Sequence, residues 1–385
     1  MGGTYDHLGL SGWPFSVVPR PEFCTFIAGR PQLDSDINEL LRNLSRRDTS
    51  SIHVFWSWFG AGKTHSLYFL ANRAKELNGT SLPVQLQPVY TEFPRSAKDF
   101  VDLYRAFTSS MNLQTFAEAF LELGTSPQQQ LIYEELLSRN PDLASALRNL
   151  STGTPHDQTT AIRWLRGDSL PQAEFRRVGI SQRIRSSDLA TQTLASLLNL
   201  LIAAEQSRGR QGHRLVWLID EFQRVRHAGK SAILDVNAGL HSLFNACPTG
   251  LSLVLSFSGQ PDPKNLPTWF SREMKDRIGV TKVMVLPPLQ RTEARVFVED
   301  VLKQFRLGAG DDSALYPFTA ESCETIFDYL EDNGNLRPRF LMEALNAVLE
   351  RADPKIEERQ IPTISATFAR AVLADHVIFS SEDEE

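Results

Sequence analysis

Runs of apolar residues, rich in β-branched and aromatic side chains, recur along the first three quarters of the chain and predict buried strands. They lie at 52–56, 82–90, 214–220, 251–257 and 281–286. Stretches with helical spacing of apolar residues separate them, such as HSLYFLANRAKEL and LATQTLASLLNLLIAAEQ. Strands that alternate with helices indicate βαβ units, so we predict an α/β fold with a parallel sheet.

A change of pattern near residue 287 predicts a second, helical region. Apolar positions then repeat with helical spacing in QRTEARVFVEDVLKQF, FTAESCETIFDYLEDN and RPRFLMEALNAVLERA. The length of the chain suits about two or three domains. We therefore predict an α/β domain at 1–287, a small helical domain at 288–352, and a C-terminal helix with an acidic tail at 353–385.

The segment between the first predicted strand and the next helix, SWFGAGKTHS, has the composition of a phosphate-binding loop. Gly60 and Gly62 permit a tight turn whose backbone N–H groups surround a phosphate at the helix N-terminus. Lys63 would reach the β- and γ-phosphates of ATP, and the Thr64 hydroxyl would hold Mg²⁺. The residues of this segment expected to contact the nucleotide are Ser57, Trp58, Phe59, Gly60, Ala61, Gly62, Lys63, Thr64 and His65.

Ser57 occupies the position where such a loop normally opens with glycine. A small residue can enter the turn there if its backbone dihedrals are not strongly left-handed. The glycines nearest the phosphates are present, so we expect a working loop despite Ser57.

A second motif, RLVWLIDEF, places two carboxylates at the tip of an apolar strand. Ligands bind at this carboxyl end of the strands in open α/β sheets. Asp220 is expected to hold the metal ion, usually through water, and also to contribute to the nucleotide site. Glu221 is expected to polarise the water that attacks the γ-phosphate.

Composition narrows the class of protein further. The chain has 385 residues, 42% of them hydrophobic, and a net charge of −6, so nucleic-acid binding requires a local basic patch. Cys24, Cys247 and Cys323 lack metal-ligand spacing and are odd in number, which argues against a zinc site or disulfide framework. The N-terminus does not resemble a signal peptide, and no apolar run approaches the roughly 18 residues of a membrane helix. We therefore expect a cytoplasmic protein without a membrane segment.

On these motifs the chain resembles AAA+ ATPases of the Orc/Cdc6-like branch. The opening LGLSGWPFSVVPRPEFCTF, together with IDEFQ and SGQPD, resembles helper ATPases of transposition and secretion. FGAGKTH, VYTEFPRSAKDFVDLYRAF and IRWLRGDSLPQAEFRRVGI resemble ATP-binding proteins of BREX-type phage-defence islands. The matches cover most of residues 8–350, and the two ATPase motifs are the most specific of them.

The resemblance implies further site residues. In SFSGQPD, Gln260 matches the strand-tip group that senses the γ-phosphate, with Ser258 as the alternative. In WFSREMKDRIGV, Arg277 matches the arginine that reaches the nucleotide of a neighbouring subunit, with Arg272 as the alternative. In GNLRPRF, Arg337 matches the lid-domain arginine that touches the γ-phosphate of its own chain. The other interpretation of each arginine is a surface or interdomain salt bridge.

The connection between the two ATPase motifs is long, because Lys63 and Asp220 lie 157 positions apart. Long connections in compact domains tend to be functional. The extra segment, roughly 95–187, is predicted to be helical at first and then basic. Six arginines at 163–185 surround Trp164 and Phe175, and are Arg163, Arg166, Arg176, Arg177, Arg183 and Arg185. This region could bind nucleic-acid phosphates while an aromatic ring stacks on a base, or be a solvated face, or bind an acidic protein.

These observations predict ATP binding and Mg²⁺-dependent hydrolysis, used as a switch or motor step in a homo-oligomer. The resemblance favours an accessory ATPase that acts on DNA in phage defence or mobile-element biology, through 163–185 or the ATPase core. The region after residue 352 is too short for a C-terminal winged helix, so DNA contact must come from elsewhere. Two alternatives remain: a nucleotide-dependent adaptor that switches an effector protein with little turnover, and a secretion or assembly ATPase.

Overall fold

The structure, a computed structural model, describes residues 5–208, 212–308, 313–334 and 336–375. The acidic end of the chain predicted as a tail lies outside these residues. The chain divides into two compact units. We call 1–37, 57–69 and 286–385 the loop unit, and 38–56 and 70–285 the sheet unit. The segment 57–66, predicted to bind phosphate, thus belongs to the same unit as the C-terminal helices. The predicted boundaries at 287 and 352 stay a prediction.

Five strands form one sheet in the order β2-β3-β4-β1-β5. Their bounds are β1 Ser51–Ser57, β2 Gln85–Glu92, β3 His213–Asp220, β4 Leu251–Ser258 and β5 Val283–Val285. Parallel pairing places Glu92 opposite Asp220 and Val54 opposite Val283. The predicted parallel sheet is confirmed, although β5 has only three residues instead of the six expected.

Fifteen helices flank or follow these strands in the described part of the chain. Those before the end of β5 are α1 Pro31–Arg46, α2 Lys63–Leu77, α3 Phe100–Ser110, α4 Leu113–Thr125, α5 Gln130–Arg139, α6 Pro141–Thr152, α7 Pro155–Leu165, α8 Gln172–Arg177, α9 Ser187–Ser207, α10 Gly229–Ala246 and α11 Arg272–Ile278. Those after it are α12 Arg291–Phe305, α13 Ala320–Asp332, α14 Pro338–Glu357 and α15 Ala366–Ala374. No helix within the described residues is both long and apolar enough to span a membrane.

The core of the sheet unit covers one face of the sheet. Alternate residues of β3, among them Trp217, lie in this core with fully buried side chains. The ring of Phe107 on α3 packs edge-on against Trp217, with centroids 4.7 Å apart. Alternate residues of a strand point to the same face of the sheet, and on this face they pack against side chains of α3, α9 and α10.

Helices α3 to α8 form the predicted helical insertion, and its aromatic residues belong to the core. Trp164 is 1% exposed and donates its indole N–H to the Gln182 carbonyl, 2.8 Å away. Phe175 is fully buried. The expected stacking of an aromatic ring from 163–185 on a base is therefore wrong for both residues, because neither ring face reaches the surface.

The loop unit has a core of its own. Leu8, Leu10 and Phe15, from the segment before α1, are buried among side chains of α12 to α15. Leu10 also forms an isolated antiparallel bridge with Arg306. The apolar residues of the opening stretch thus serve to pack the N-terminal segment on the C-terminal helices.

Candidate nucleotide-binding site

The segment between β1 and α2 forms a tight loop that depends on two glycines. Gly60 has a φ of 75° and Gly62 a φ of 97°, in the left-handed region that disfavours a side chain. A Cβ on Gly60 would also lie 3.1 Å from the Arg339 Cβ. Among the described non-glycine residues only Glu221 and Arg359 have a positive φ. Ser57 therefore meets the condition for replacing the usual glycine.

Three successive carbonyls of the loop accept hydrogen bonds from elsewhere in the loop unit. The donors are Arg337 Nη1 to Phe59 (2.9 Å), the backbone N–H of Arg339 to Gly60 (3.0 Å), and Arg30 Nη1 to Ala61 (2.9 Å). In a trans peptide the carbonyl and the following N–H point in opposite directions. The N–H groups of residues 60–62 consequently point away from these donors, as an anion-binding loop requires.

The Lys63 side chain is 6% exposed and folds back on the start of the loop. Its ammonium donates to the Trp58 carbonyl (3.0 Å), the Ser57 hydroxyl (3.2 Å) and the Ser57 carbonyl (3.4 Å). The Ser57 hydroxyl in turn donates to the Trp58 carbonyl at 3.0 Å. Ser57 thus gives Lys63 a partner that glycine could not supply.

Arg337, predicted to touch the γ-phosphate, lies against the loop and is 5% exposed. Besides its bond to the Phe59 carbonyl, its guanidinium lies 5.7 Å from the ring centre of Trp58 and 5.6 Å from that of Phe340. This contact between a cation and two aromatic faces fixes the side chain beside the loop. Its role toward a γ-phosphate stays a prediction.

His65, predicted to contact the nucleotide, uses both ring nitrogens within the loop unit. Nε2 lies 2.8 Å from the Phe26 carbonyl and Nδ1 3.4 Å from the Cys24 sulfur. Burial lowers the pKa of His65, and burial also raises the pKa of the Cys24 thiol to about 12. The ring therefore joins α2 to the segment before α1, and a nucleotide contact of His65 stays a prediction.

In the sheet unit, Asp220 is the last residue of β3 and is 1% exposed. One carboxylate oxygen accepts from the Tyr90 hydroxyl at 3.1 Å, and the other from the Glu221 N–H at 2.9 Å. Glu221 follows in the left-handed region with a φ of 56°. Its carboxylate accepts from Gln223 Nε2 at 3.1 Å and lies 3.4 Å from Arg224 Nη2.

The tip of β4 is joined to Glu221 through Gln223. The Gln223 side-chain oxygen accepts from the Ser258 N–H at 3.1 Å while its amide nitrogen donates to Glu221. The Ser258 hydroxyl is buried and has no hydrogen-bond partner among the described residues. Gln260 is exposed, two positions farther along. The structure thus brings Ser258 to the carboxylate pair, and the sensor role given to Gln260 stays a prediction.

Arg277 lies at the end of α11 and contacts its own chain. Its Nη2 donates to the Asn245 side-chain oxygen at 2.6 Å, and its guanidinium lies 5.5 Å from the ring centre of Phe244. The side chain of Arg272, the alternative, is 92% exposed. A contact of either arginine with a neighbouring subunit stays a prediction.

Three residues that contact predicted site residues were missed from the sequence: Arg30, Tyr90 and Gln223. Arg30 stands before α1 and binds the carbonyls of Ala61 and Pro287. A signal existed for Gln223, since it ends the quoted IDEFQ motif. No local pattern marks Tyr90, because its contact depends on the pairing of β2 with β3.

Comparison with known proteins gives a fold but no family assignment. No protein-family model and no curated protein matches the chain. Among solved structures, the Orc1 protein of Aeropyrum pernix in complex with DNA is 13% identical, over 94% of this chain and 69% of that chain, with a TM-score of 0.50. The Aeropyrum pernix Orc2 protein is 17% identical, over 93% and 72% of the two chains, with a TM-score of 0.49. Domain III of the Thermotoga maritima replication initiation protein DnaA is 14% identical, over 91% and 93%, with a TM-score of 0.42.

The similarity to Orc1 shows the fold of the chain. It has the AAA+ type of α/β fold, with a parallel sheet, a helical insertion and a helical C-terminal region. The fold class predicted from the sequence, a parallel-sheet α/β core with a helical insertion and a helical C-terminal region, is confirmed.

Proposed function

We propose that the protein binds ATP with Mg²⁺, hydrolyses it, and uses the cycle as a switch or motor step in a cytoplasmic process that acts on DNA. The observation that carries the proposal is the loop at 57–64. Donors from elsewhere in the loop unit bind the carbonyls of residues 59–61, so the N–H groups of residues 60–62 point in the opposite direction. β1, which leads into this loop, and β3, which ends at Asp220, belong to the same sheet.

The residues present suit a magnesium–nucleotide complex. Mg²⁺ is bound through few protein ligands, together with water and substrate phosphates. Asp220 is a buried carboxylate oriented by two hydrogen-bond donors, and Thr64 begins the helix after the loop. Thr64 and Asp220 would hold the ion, which when bound neutralises charge on the phosphates. Lys63 would leave the Ser57 and Trp58 oxygens for the β- and γ-phosphates.

Glu221 would act as the base that polarises the attacking water. Gln223 fixes the position of its carboxylate relative to the tip of β4. Arg224 lies close enough to Glu221 to pair with its carboxylate. The same guanidinium also binds Glu92, at 3.0 Å. A shift of Arg224 toward Glu92 would free Glu221 for catalysis.

The first experiment removes the lysine of the loop. Lys63→Ala should abolish ATP binding, because the loop loses its cation. The matched control is Lys75→Ala, an exposed lysine in the last turn of the same helix, which should bind ATP as the parent does. Titration with a fluorescent ATP analogue measures both, and equal affinity of Lys63→Ala and the parent would overturn the proposal.

The second experiment separates binding from turnover. Glu221→Gln keeps the size of the side chain and can still bond to Gln223, but it cannot act as a base. We expect ATP affinity close to that of the parent and ATP hydrolysis at least about a hundredfold slower, in the range of general-base contributions. Hydrolysis at the parent rate would assign the base elsewhere.

A second candidate function is a nucleotide-dependent adaptor that turns over little ATP and switches an effector protein. The pairing of Glu221 with Arg224 favours it, because an ion-paired carboxylate is a weaker base. Arg224→Ala discriminates the two: faster hydrolysis identifies a restrained enzyme, whereas unchanged slow turnover with normal ATP binding supports the adaptor. The setting in phage defence or mobile-element biology rests on the sequence resemblance.

A further inference from the structure

Positive side chains from four segments of the sheet unit converge at the amino-terminal edge of the sheet. Arg47 follows α1, and Arg214 is the second residue of β3. Arg277 lies in the last turn of α11, and Lys282 lies just before β5. Arg214 binds the Arg47 and Thr49 carbonyls through its guanidinium. We call Arg47, Arg214, Arg277 and Lys282 the edge cluster.

Further hydrogen bonds hold the edge cluster together. The Lys282 ammonium donates to the Arg277 carbonyl at 3.0 Å, and Arg277 is itself fixed by Asn245. Arg214 Nη1 also donates to the Ser252 hydroxyl, 2.9 Å away. The Arg214 side chain thus binds the backbone of Arg47, and the Lys282 side chain binds the backbone of Arg277. The charges of Arg47, Arg214 and Lys282 all act on His53.

The positive charges of the edge cluster act on one another and on the neighbouring His53. Burial, with the charges of Lys282, Arg47 and Arg214, lowers the pKa of the neighbouring His53 to about 4. Burial, with the charges of Arg47 and Arg277, lowers the pKa of Lys282. In the described part of the chain, no carboxylate forms an ion pair with Arg47, Arg277 or Lys282. The carboxylate whose charge acts on Arg214 is that of Asp48.

The predicted basic region of the insertion differs from the edge cluster in this respect. Arg163 pairs with Asp168 at 3.6 Å, and Arg177 with Asp157 at 3.5 Å. An arginine paired with a carboxylate attracts a polyanion less than an arginine without such a pair. The arriving phosphate must compete with that carboxylate. Arg47 and Lys282, which form no such ion pair in the described part of the chain, are therefore favoured for phosphate binding over Arg163 and Arg177.

We propose that the edge cluster binds the sugar–phosphate backbone of nucleic acid, with Arg47 and Lys282 as its accessible contacts. The proposal rests on the DNA-directed part of the proposed function and names the surface of the chain that carries it. Phosphates of one strand would lie beside these cations, and their negative charge would relieve the repulsion among the cations. Since no base is read by these contacts, binding should show little sequence preference.

The test compares two charge reversals of equal size in the full-length chain. The variant Arg47→Glu/Lys282→Glu alters the edge cluster, and the control Arg166→Glu/Arg176→Glu alters exposed arginines of the insertion. Binding of a fluorescent mixed-sequence DNA duplex is measured by anisotropy with ATP, over a series of salt concentrations. We expect at least about tenfold weaker binding for the first variant, and a salt slope lowered by roughly one per lost contact. The control should bind as the parent does.

The outcomes separate this inference from the ATP proposal. Neither variant touches the loop, so ATP affinity should be unchanged in both, and thermal unfolding checks that both fold. Arg47→Ala/Lys282→Ala, which introduces no new charge, should show the same change in a weaker form. Loss of DNA binding in the control alone, unchanged binding in both, or no binding by the parent at low salt each overturns the inference. Reduced ATP turnover with intact DNA binding would instead identify the edge cluster as a contact with a second copy.

Discussion

At the scale of single residues, Ser57 shows why a motif that departs from its pattern can keep its geometry. The sequence showed that the glycine was missing and that a small residue could enter the turn. It could not show that the hydroxyl supplies a bond to Lys63, since that requires the fold-back of a side chain six positions away. The tight loop between β1 and α2 was therefore predictable, and its internal contacts were not.

Gly60 provides a prediction with a close internal control. Gly60 and Gly79 have nearly the same φ, 75° and 74°, but nothing lies within 4 Å of a Cβ on Gly79. Gly79→Ala should therefore cost only the backbone strain, roughly 1–2 kcal/mol. Gly60→Ala adds the contact with Arg339, whose N–H is bonded to Gly60, so the loop must shift. We expect a larger loss of stability and weaker ATP binding for Gly60→Ala alone, measured by urea unfolding and nucleotide titration; equal effects would contradict it.

His53 should make stability depend on pH. Burial and nearby positive charges lower its pKa from 6.5 to about 4 in the folded state. Its contribution to stability is thus present above about pH 6.5 and is lost as the pH falls toward 4. His53→Gln should reduce the pH dependence of the unfolding free energy across this window, by up to about 3 kcal/mol. The exposed His227→Gln is the control, and parallel curves for His53→Gln and the parent would exclude the assignment.

At the scale of elements, strands were predicted well because apolar β-branched runs bounded by turns leave few alternatives. β5 was predicted too long, since its apolar residues lie at the edge of the sheet and only three pair with β1. The helical insertion was also predicted. The sequence could not predict whether Trp164 and Phe175 face solvent or the core. A basic segment with aromatic residues fits both an exposed stacking surface and a covered core.

The contact of α3 with α10 gives the prediction at this scale. A Cβ on Gly239 of α10 would lie 2.4 Å from the Phe100 ring, where α3 begins. Gly239→Ala gains about 1 kcal/mol of helix propensity but overpacks the contact, which costs about 1–3 kcal/mol. We expect net destabilisation in thermal unfolding, whereas Ser242→Ala, exposed on the same helix, should be neutral or slightly stabilising. A stabilised Gly239→Ala would mean that α3 yields readily.

At the scale of the whole molecule, the predicted site shared between subunits can be tested by mixing. Arg277→Ala should bind ATP and turn over slowly, because a transferring phosphoryl group loses a fixed positive charge. Mixing it with Lys63→Ala should restore activity, since one chain has an intact loop and the other an intact arginine. Because the arginine comes from a second chain, activity per subunit should rise with protein concentration. Arg277 must leave its bond to Asn245 to reach that site.

The control for mixing is Arg272→Ala, whose exposed side chain makes only a long contact with Asp276 at 4.0 Å. Without a second variant, Arg272→Ala should keep the ATPase activity of the parent. If Arg272→Ala is the slow variant and is rescued by Lys63→Ala, the arginine that acts between subunits is Arg272. If neither variant is slow and activity does not depend on concentration, each chain works by itself.

The packing of the N-terminal segment on the C-terminal helices has a consequence for biosynthesis. His7 bonds to Asp353, 346 positions later, and Leu8, Leu10 and Phe15 are buried among side chains of the last helices. At roughly 5–20 residues per second, the ribosome needs about 20–70 s to deliver the partner of His7. During that time the side chains of the last helices that bury Leu8, Leu10 and Phe15 in the folded loop unit have not yet been made. We therefore expect this part of the loop unit to reach its final packing only late in synthesis.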